Sequence, residues 1–206
     1  MKHIKFRPWV GENYKQGFQN KKILILGDSH YCAKDENRND ACRSKGDCSY
    51  DCMNDRCYEM TDKLIRAEYL KFRSGSMKSK GYLQTILTFE KNLFGYTPSP
   101  QESINFWNSV IFYNYIQHSQ YKPRSRRKTE AEEIDDYKEA FKEVLAEYQP
   151  DYIITWSKFL FTQDWLPDGA FEAPDYTLNA EYNGVIYNTP VRTFKLDGGK
   201  LIRAII

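Results

Sequence analysis

The run Lys21-Lys22-Ile23-Leu24-Ile25-Leu26-Gly27 does most to limit the folds open to this chain. Four consecutive aliphatic residues without polar alternation need apolar cover on both faces, which is the situation of a central strand in a parallel sheet. Gly27 ends the run, and Asp28-Ser29-His30-Tyr31 follows at once. A buried strand that gives way to a polar cluster at its carboxyl end is where open α/β sheets hold their ligands.

The rest of the pattern agrees. Ser109-Val110-Ile111-Phe112-Tyr113-Asn114-Tyr115 and Asp151-Tyr152-Ile153-Ile154-Thr155-Trp156 are rich in β-branched and aromatic residues and read as two further strands. Between them, Ile134, Tyr137, Phe141, Val144, Leu145 and Tyr148 recur at helical spacing up to Pro150, with acidic residues crowding the first turns. Thr61 reads as the N-cap of a helix through Leu64, Ile65, Tyr69 and Phe72. A second helical pattern runs from Leu83 through Phe94 to Gly95, with Pro98 and Pro100 barring its continuation. In the tail, Val185 to Tyr187, Val191 to Leu196 and Leu201 to Ile206 read as strands, with a turn at Asp197-Gly198-Gly199. Alternating strands and helices predict an α/β fold, a parallel sheet with helices on both faces. The residues just past the strand ends are then Gly27 to Tyr31, Asn114 to Gln117, and Trp156-Ser157.

At 206 residues and 24.4 kDa the chain fits one domain, residues 1–206, with an excursion at about 32–60. A hydrophobic share of 41% and an aromatic share of 16% exclude a disordered polymer. A mean hydropathy of -0.73, no long uncharged apolar run, and no apolar stretch after Met1 to Arg7 predict a cytoplasmic protein without a membrane partner. A net charge of +2 neither demands nor forbids a polyanion. All five cysteines, Cys32, Cys42, Cys48, Cys52 and Cys57, fall in the excursion. Their odd number argues against a disulfide framework, and Cys48-x3-Cys52 has the spacing of a metal knuckle that Cys42 and Cys57 would complete. Zinc at Cys42, Cys48, Cys52 and Cys57, or free thiols on a solvated insertion, are the two readings.

The polar segments suggest chemistry. Asp28, Ser29 and His30 offer an acid, a hydroxyl and an imidazole to one crevice; the plainer reading is a loop whose Asp28 or Ser29 caps a helix. Asn114, with one acceptor and two donors, can read the polar edge of a nucleobase, or be an ordinary turn residue. The densest basic run, Lys122-Pro123-Arg124-Ser125-Arg126-Arg127-Lys128, suits phosphates or is simply solvated. Gly27-Asp28-Ser29 also resembles the nucleophile motif of the SGNH esterases, which implies Ser29 as nucleophile. The histidine those enzymes carry near the C-terminus is missing, since the only histidines are His3, His30 and His118.

Taken in order, the three segments resemble the uracil-DNA glycosylase superfamily over roughly Lys22 to Ser157. Pro150-Asp151-Tyr152-Ile153-Ile154-Thr155-Trp156-Ser157 is similar to that family's Pro-Asp-x-Ile-Ile-x-Trp-Gly strand, with Ser157 in place of glycine. The resemblance implies a three-layer α/β/α domain with a central parallel sheet in strand order 2-1-3-4. It implies Gly27 as the motif glycine, Tyr31 as the pocket wall and Asn114 as the base reader, with Gln117, Trp156 and Ser157 lining the substrate site. Asp28, with Ser29 or His30, would handle the hydrolytic water, and Arg124, Arg126 and Arg127 would hold phosphates. Ser29 stands where the family has its water-activating carboxylate, and the His-Pro-Ser motif that follows the family's last strand is absent through Ile206. The implied function is binding of DNA or another nucleobase-containing ligand, with hydrolysis of the N-glycosidic bond of a damaged base. A non-catalytic nucleotide- or nucleic-acid-binding module is the alternative.

Overall fold

The computed structural model describes residues 2–31, 60–117, 119–120, 131–156, 160, 176–182, 185–196 and 199–205. Its strands are β1 (Trp9–Val10), β2 (Ile23–Gly27), β3 (His30–Tyr31), β4 (Val110–Asn114), β5 (Ser119–Gln120), β6 (Tyr152–Thr155), β7 (Tyr176–Tyr182), β8 (Val185–Lys195) and β9 (Leu201–Ile205). Helix α1 covers residues 60–73 and is α-helical over Met60–Asp62 and Leu70–Arg73 but π-helical over Lys63–Tyr69. A 3₁₀ turn, Gly81–Leu83, leads into α2 (Gln84–Phe94), which precedes α3 (Pro100–Trp107) and, later, α4 (Ala131–Tyr148).

Seven strands form one sheet in the order β1-β4-β2-β6-β9-β8-β7. The central strands β4, β2, β6 and β9 are parallel, whereas β1, β8 and β7 run antiparallel to their neighbours. The expected four-stranded parallel sheet in order 2-1-3-4 is therefore corrected to a larger, mixed one. The reason lies in the connections. A turn in which Leu196 N–H donates to Lys200 C=O (2.8 Å) joins β8 to β9, and so short a link can only produce an antiparallel pair. β8 pairs with β9 over Val191 to Lys195 and with β7 from Val185 to Val191, so the β7–β8 hairpin overhangs the end of β9 at Ile205.

Both faces of the sheet are covered. On one, Tyr137, Phe141, Val144 and Leu145 of α4 pack on Leu24, Leu26, Ile111, Tyr113, Ile153 and Phe194. On the other, Ile65, Tyr69, Leu83, Ile86, Phe106 and Trp107 pack on Ile25, Val110 and Phe112. The expected start of α1 differs in detail: Met60 opens the helix and Thr61 lies in its first turn, fully buried, so its hydroxyl is free for another task. α3 was not expected. Ser99 and Glu102 form a reciprocal capping box with Pro100 in the first turn, so the prolines that end one helix pattern begin the next helix. No helix among the described residues is long and apolar enough to cross a membrane.

Candidate functional site

The register of the two central strands builds the site. Gly27 and Asn114 are paired as the last residues of β2 and β4. Ile25, Val110 and Phe112 face the α1–α3 layer, and a side-chain period of two puts Gly27 and Asn114 on that same side. The backbones stay together past the strand ends. Tyr115 N–H donates to Gly27 C=O (3.0 Å) and Ile116 N–H to Asp28 C=O (2.9 Å). β3 and β5 then pair in parallel, His30 with Ser119 and Tyr31 with Gln120. Two of the three polar segments, 80 or more residues apart, are thus stitched into one rim.

Asn114 is buried, and its Nδ2 lies 3.0 Å from His30 Nε2. An amide NH₂ can only donate, so Nε2 is the accepting nitrogen and the ring is neutral. Burial of the whole imidazole enforces this, pushing the His30 pKa down to about 3. Thr61 Oγ1 stands 2.7 Å from the same nitrogen. Phe6 meets the ring edge to face at a centroid distance of 4.8 Å. The other end of the Asn114 amide is different. Oδ1 is buried and finds no hydrogen-bond donor among the described residues, a condition that costs about 1–3 kcal/mol unless something supplies one.

Gly27 is what lets this amide lie where it does. A Cβ on Gly27 would come within 2.0 Å of Asn114 Oδ1 and 3.0 Å of Trp156 Nε1 and of the Phe112 ring. Trp156 itself packs against Phe112 (4.9 Å) and Phe89 (5.1 Å), so the third segment also reaches the rim. Asp28 and Ser29 are half-buried beside these groups. No hydrogen bond joins Ser29 to His30, whose Nε2 is turned to Thr61 and Asn114.

Gln117 serves inward. Its Nε2 donates to Asn114 C=O (2.6 Å), and its Oε1 accepts from the N–H groups of Lys5 (2.9 Å) and Phe6 (3.0 Å). It fixes the backbone of Asn114 and ties residues 5–6 to the rim, leaving its amide engaged by the protein. For Tyr31 the backbone alone is described; Ser157, Arg124, Arg126 and Arg127 lie outside the described residues, as do Cys42, Cys48, Cys52 and Cys57. The expected zinc is corrected: among the described residues no group of three or more His, Cys, Asp or Glu side chains could hold a metal ion.

Thr61 and Phe6 escaped sequence reading. Neither has a local signal, because each reaches His30 only through the tertiary fold. Comparison with protein-family models finds none that matches the chain, and comparison with curated proteins finds no match.

Proposed function

We propose that the protein binds a nucleobase at this carboxyl rim, in the manner of a divergent uracil-DNA glycosylase-type α/β/α domain. One observation carries the reading: Asn114 holds a buried, unengaged carbonyl oxygen over Gly27 while its NH₂ is fixed by a neutral histidine. A ligand with an N–H edge would supply the donor that the protein does not. Asp28 is the only carboxylate in the described parts of the three rim segments, so it is the group to orient water in a hydrolysis of the N-glycosidic bond.

A binding-only version of the same site is favoured by His30. Its uncharged ring has Nε2 directed at Thr61 and Asn114, and the position of the expected carboxylate is taken by the weaker Ser29 hydroxyl. Among the described residues no hydrogen bond joins Ser29 to a base, as a serine nucleophile needs, so the esterase reading draws no support from them.

The decisive experiment incubates the protein with uracil-, hypoxanthine- and mismatch-containing single strands, scoring both binding and cleavage at abasic sites. Product that vanishes in Asp28→Asn establishes the hydrolase. Binding without product establishes the module. In either case Gly27→Ala should weaken binding at least tenfold, because the new methyl group displaces the Asn114 amide. Wild-type binding in Gly27→Ala and Asn114→Ala alike would end the reading.

A further inference from the structure

The helical layer on the Asn114 side of the sheet differs in charge from the layer opposite. Residues 60–107 carry Lys63, Arg66, Lys71, Arg73, Lys78, Lys80 and Lys91 against Asp62, Glu68, Glu90 and Glu102. Of those four acids, Glu90 is buried, with Oε2 accepting from Ser103 Oγ and Oε1 from Trp107 Nε1, both at 2.7 Å. Glu102 is engaged in the α3 cap. α4, across the sheet, has seven acidic residues and only Lys138 and Lys142.

The positive charge is concentrated where α1 ends. Gly75, at φ +77°, stops the helix and begins the exposed loop Ser74-Gly75-Ser76, followed after Met77 by Lys78-Ser79-Lys80-Gly81. Lys71 and Lys78 are exposed and have no ion-pair partner among the described residues. Lys80 is bonded to Glu68 (3.2 Å) and lies over the ring of Tyr82 (5.5 Å), which is half exposed. Lysines, serine hydroxyls and a glycine-rich backbone together fit phosphate oxygens, and a half-exposed tyrosine ring fits a stacked base. α1 links this loop to the rim: its first turn places Thr61 on His30, and its 14 residues span roughly 20 Å.

We infer that the surface formed by Lys71, Lys78, Lys80 and Tyr82 is a docking track for the phosphate backbone of a single-stranded polynucleotide. The inference rests on the nucleobase reading of the rim. The strand whose base enters at Asn114 runs along α1 to this loop, so the ligand is a polymer rather than a free nucleotide.

The test is fluorescence anisotropy with a labelled oligothymidylate, titrated across a salt series. The Lys71→Glu/Lys78→Glu/Lys80→Glu variant is expected to lose at least tenfold in affinity at low salt. Its log–log salt slope should fall by about 2, from about 0.7 per lost phosphate contact. Lys138→Glu/Lys142→Glu, on the acidic layer, should bind this strand within twofold of wild type. Unchanged binding in the triple variant overturns the track, and so does an equal loss in the α4 variant. Failure of the wild-type protein to bind the strand overturns it too. The rim reading is judged separately, by titrating free uracil and hypoxanthine into wild type and Asn114→Ala, and thermal melts confirm that each variant is folded.

Discussion

The two layers that cover the sheet are built on opposite plans. The α4 side is one regular helix of 18 residues on an aromatic and aliphatic bed, with Phe141 stacked on Tyr113 and meeting Tyr115 and Phe194 edge to face. The α1–α3 side is broken into three helices. It includes a π-helical stretch, encloses a carboxylate at Glu90, and contributes Thr61 to the rim. Regularity accompanies pure packing here, and irregularity accompanies buried polar groups. A π-helical turn departs from the optimal backbone hydrogen-bond geometry and is found most often near functional sites. It is on this side that the unengaged amide oxygen lies.

The contrast can be broken first at Phe141, which is fully buried. Phe141→Ala should cost about 3–5 kcal/mol in a urea titration. A loss below about 1 kcal/mol would show that α4 is not the stabilising layer.

The second effect sharpens the contrast through pH. The buried His30 is neutral when folded, with a pKa of about 3 against 6.5 in the ordinary state. The unfolded chain therefore binds an extra proton between these values, and stability falls as pH drops below about 6.5, by on the order of 1 kcal/mol per pH unit. The loss continues until the folded pKa is reached near 3. Thermal melts at successive pH values should show this slope, and His30→Gln should flatten it; a variant with the wild-type slope would locate the proton elsewhere.

The smallest effect tests the cap of α3. Ser99 Oγ accepts from Glu102 N–H at 3.3 Å, and Glu102 Oε2 accepts from Ser99 N–H at 2.7 Å. Ser99→Ala should cost about 1 kcal/mol. Since α3 carries Trp107 and Ser103, which hold Glu90, an effect several times larger would mean that the broken layer unfolds as a unit.

How much of this was legible in the chain follows the same division. The strands Ile23–Gly27, Val110–Asn114 and Tyr152–Thr155 and helix Ala131–Tyr148 each carry their own periodicity and need no tertiary information. β1 has only two residues and offers no period to detect. α3 has a readable signal in Ser99-Pro100-x-Glu102, masked by the same prolines that bar continuation of the preceding helix. β8 continues through Pro190, opposite Thr177, so a proline that argues for a break sits inside a strand pair. Of the rim, Gly27, His30 and Asn114 could be found because strand ends could be found. The bonds from His30 to Thr61 and Asn114, and the clash that keeps residue 27 a glycine, arise from register between distant segments and leave no trace in local pattern.

The amide of Gln117 gathers the N–H groups of Lys5 and Phe6 from 112 and 111 positions away, and Phe6 then leans on His30. Closing so long a loop is among the costlier steps in ordering a chain. The hydrogen-bonded rim around Asn114 should accordingly mature late, after the sheet and α4 have assembled. Shortening or crowding residues 2–6 would then loosen the packing around His30 and Asn114 while the bulk of the molecule still melted normally.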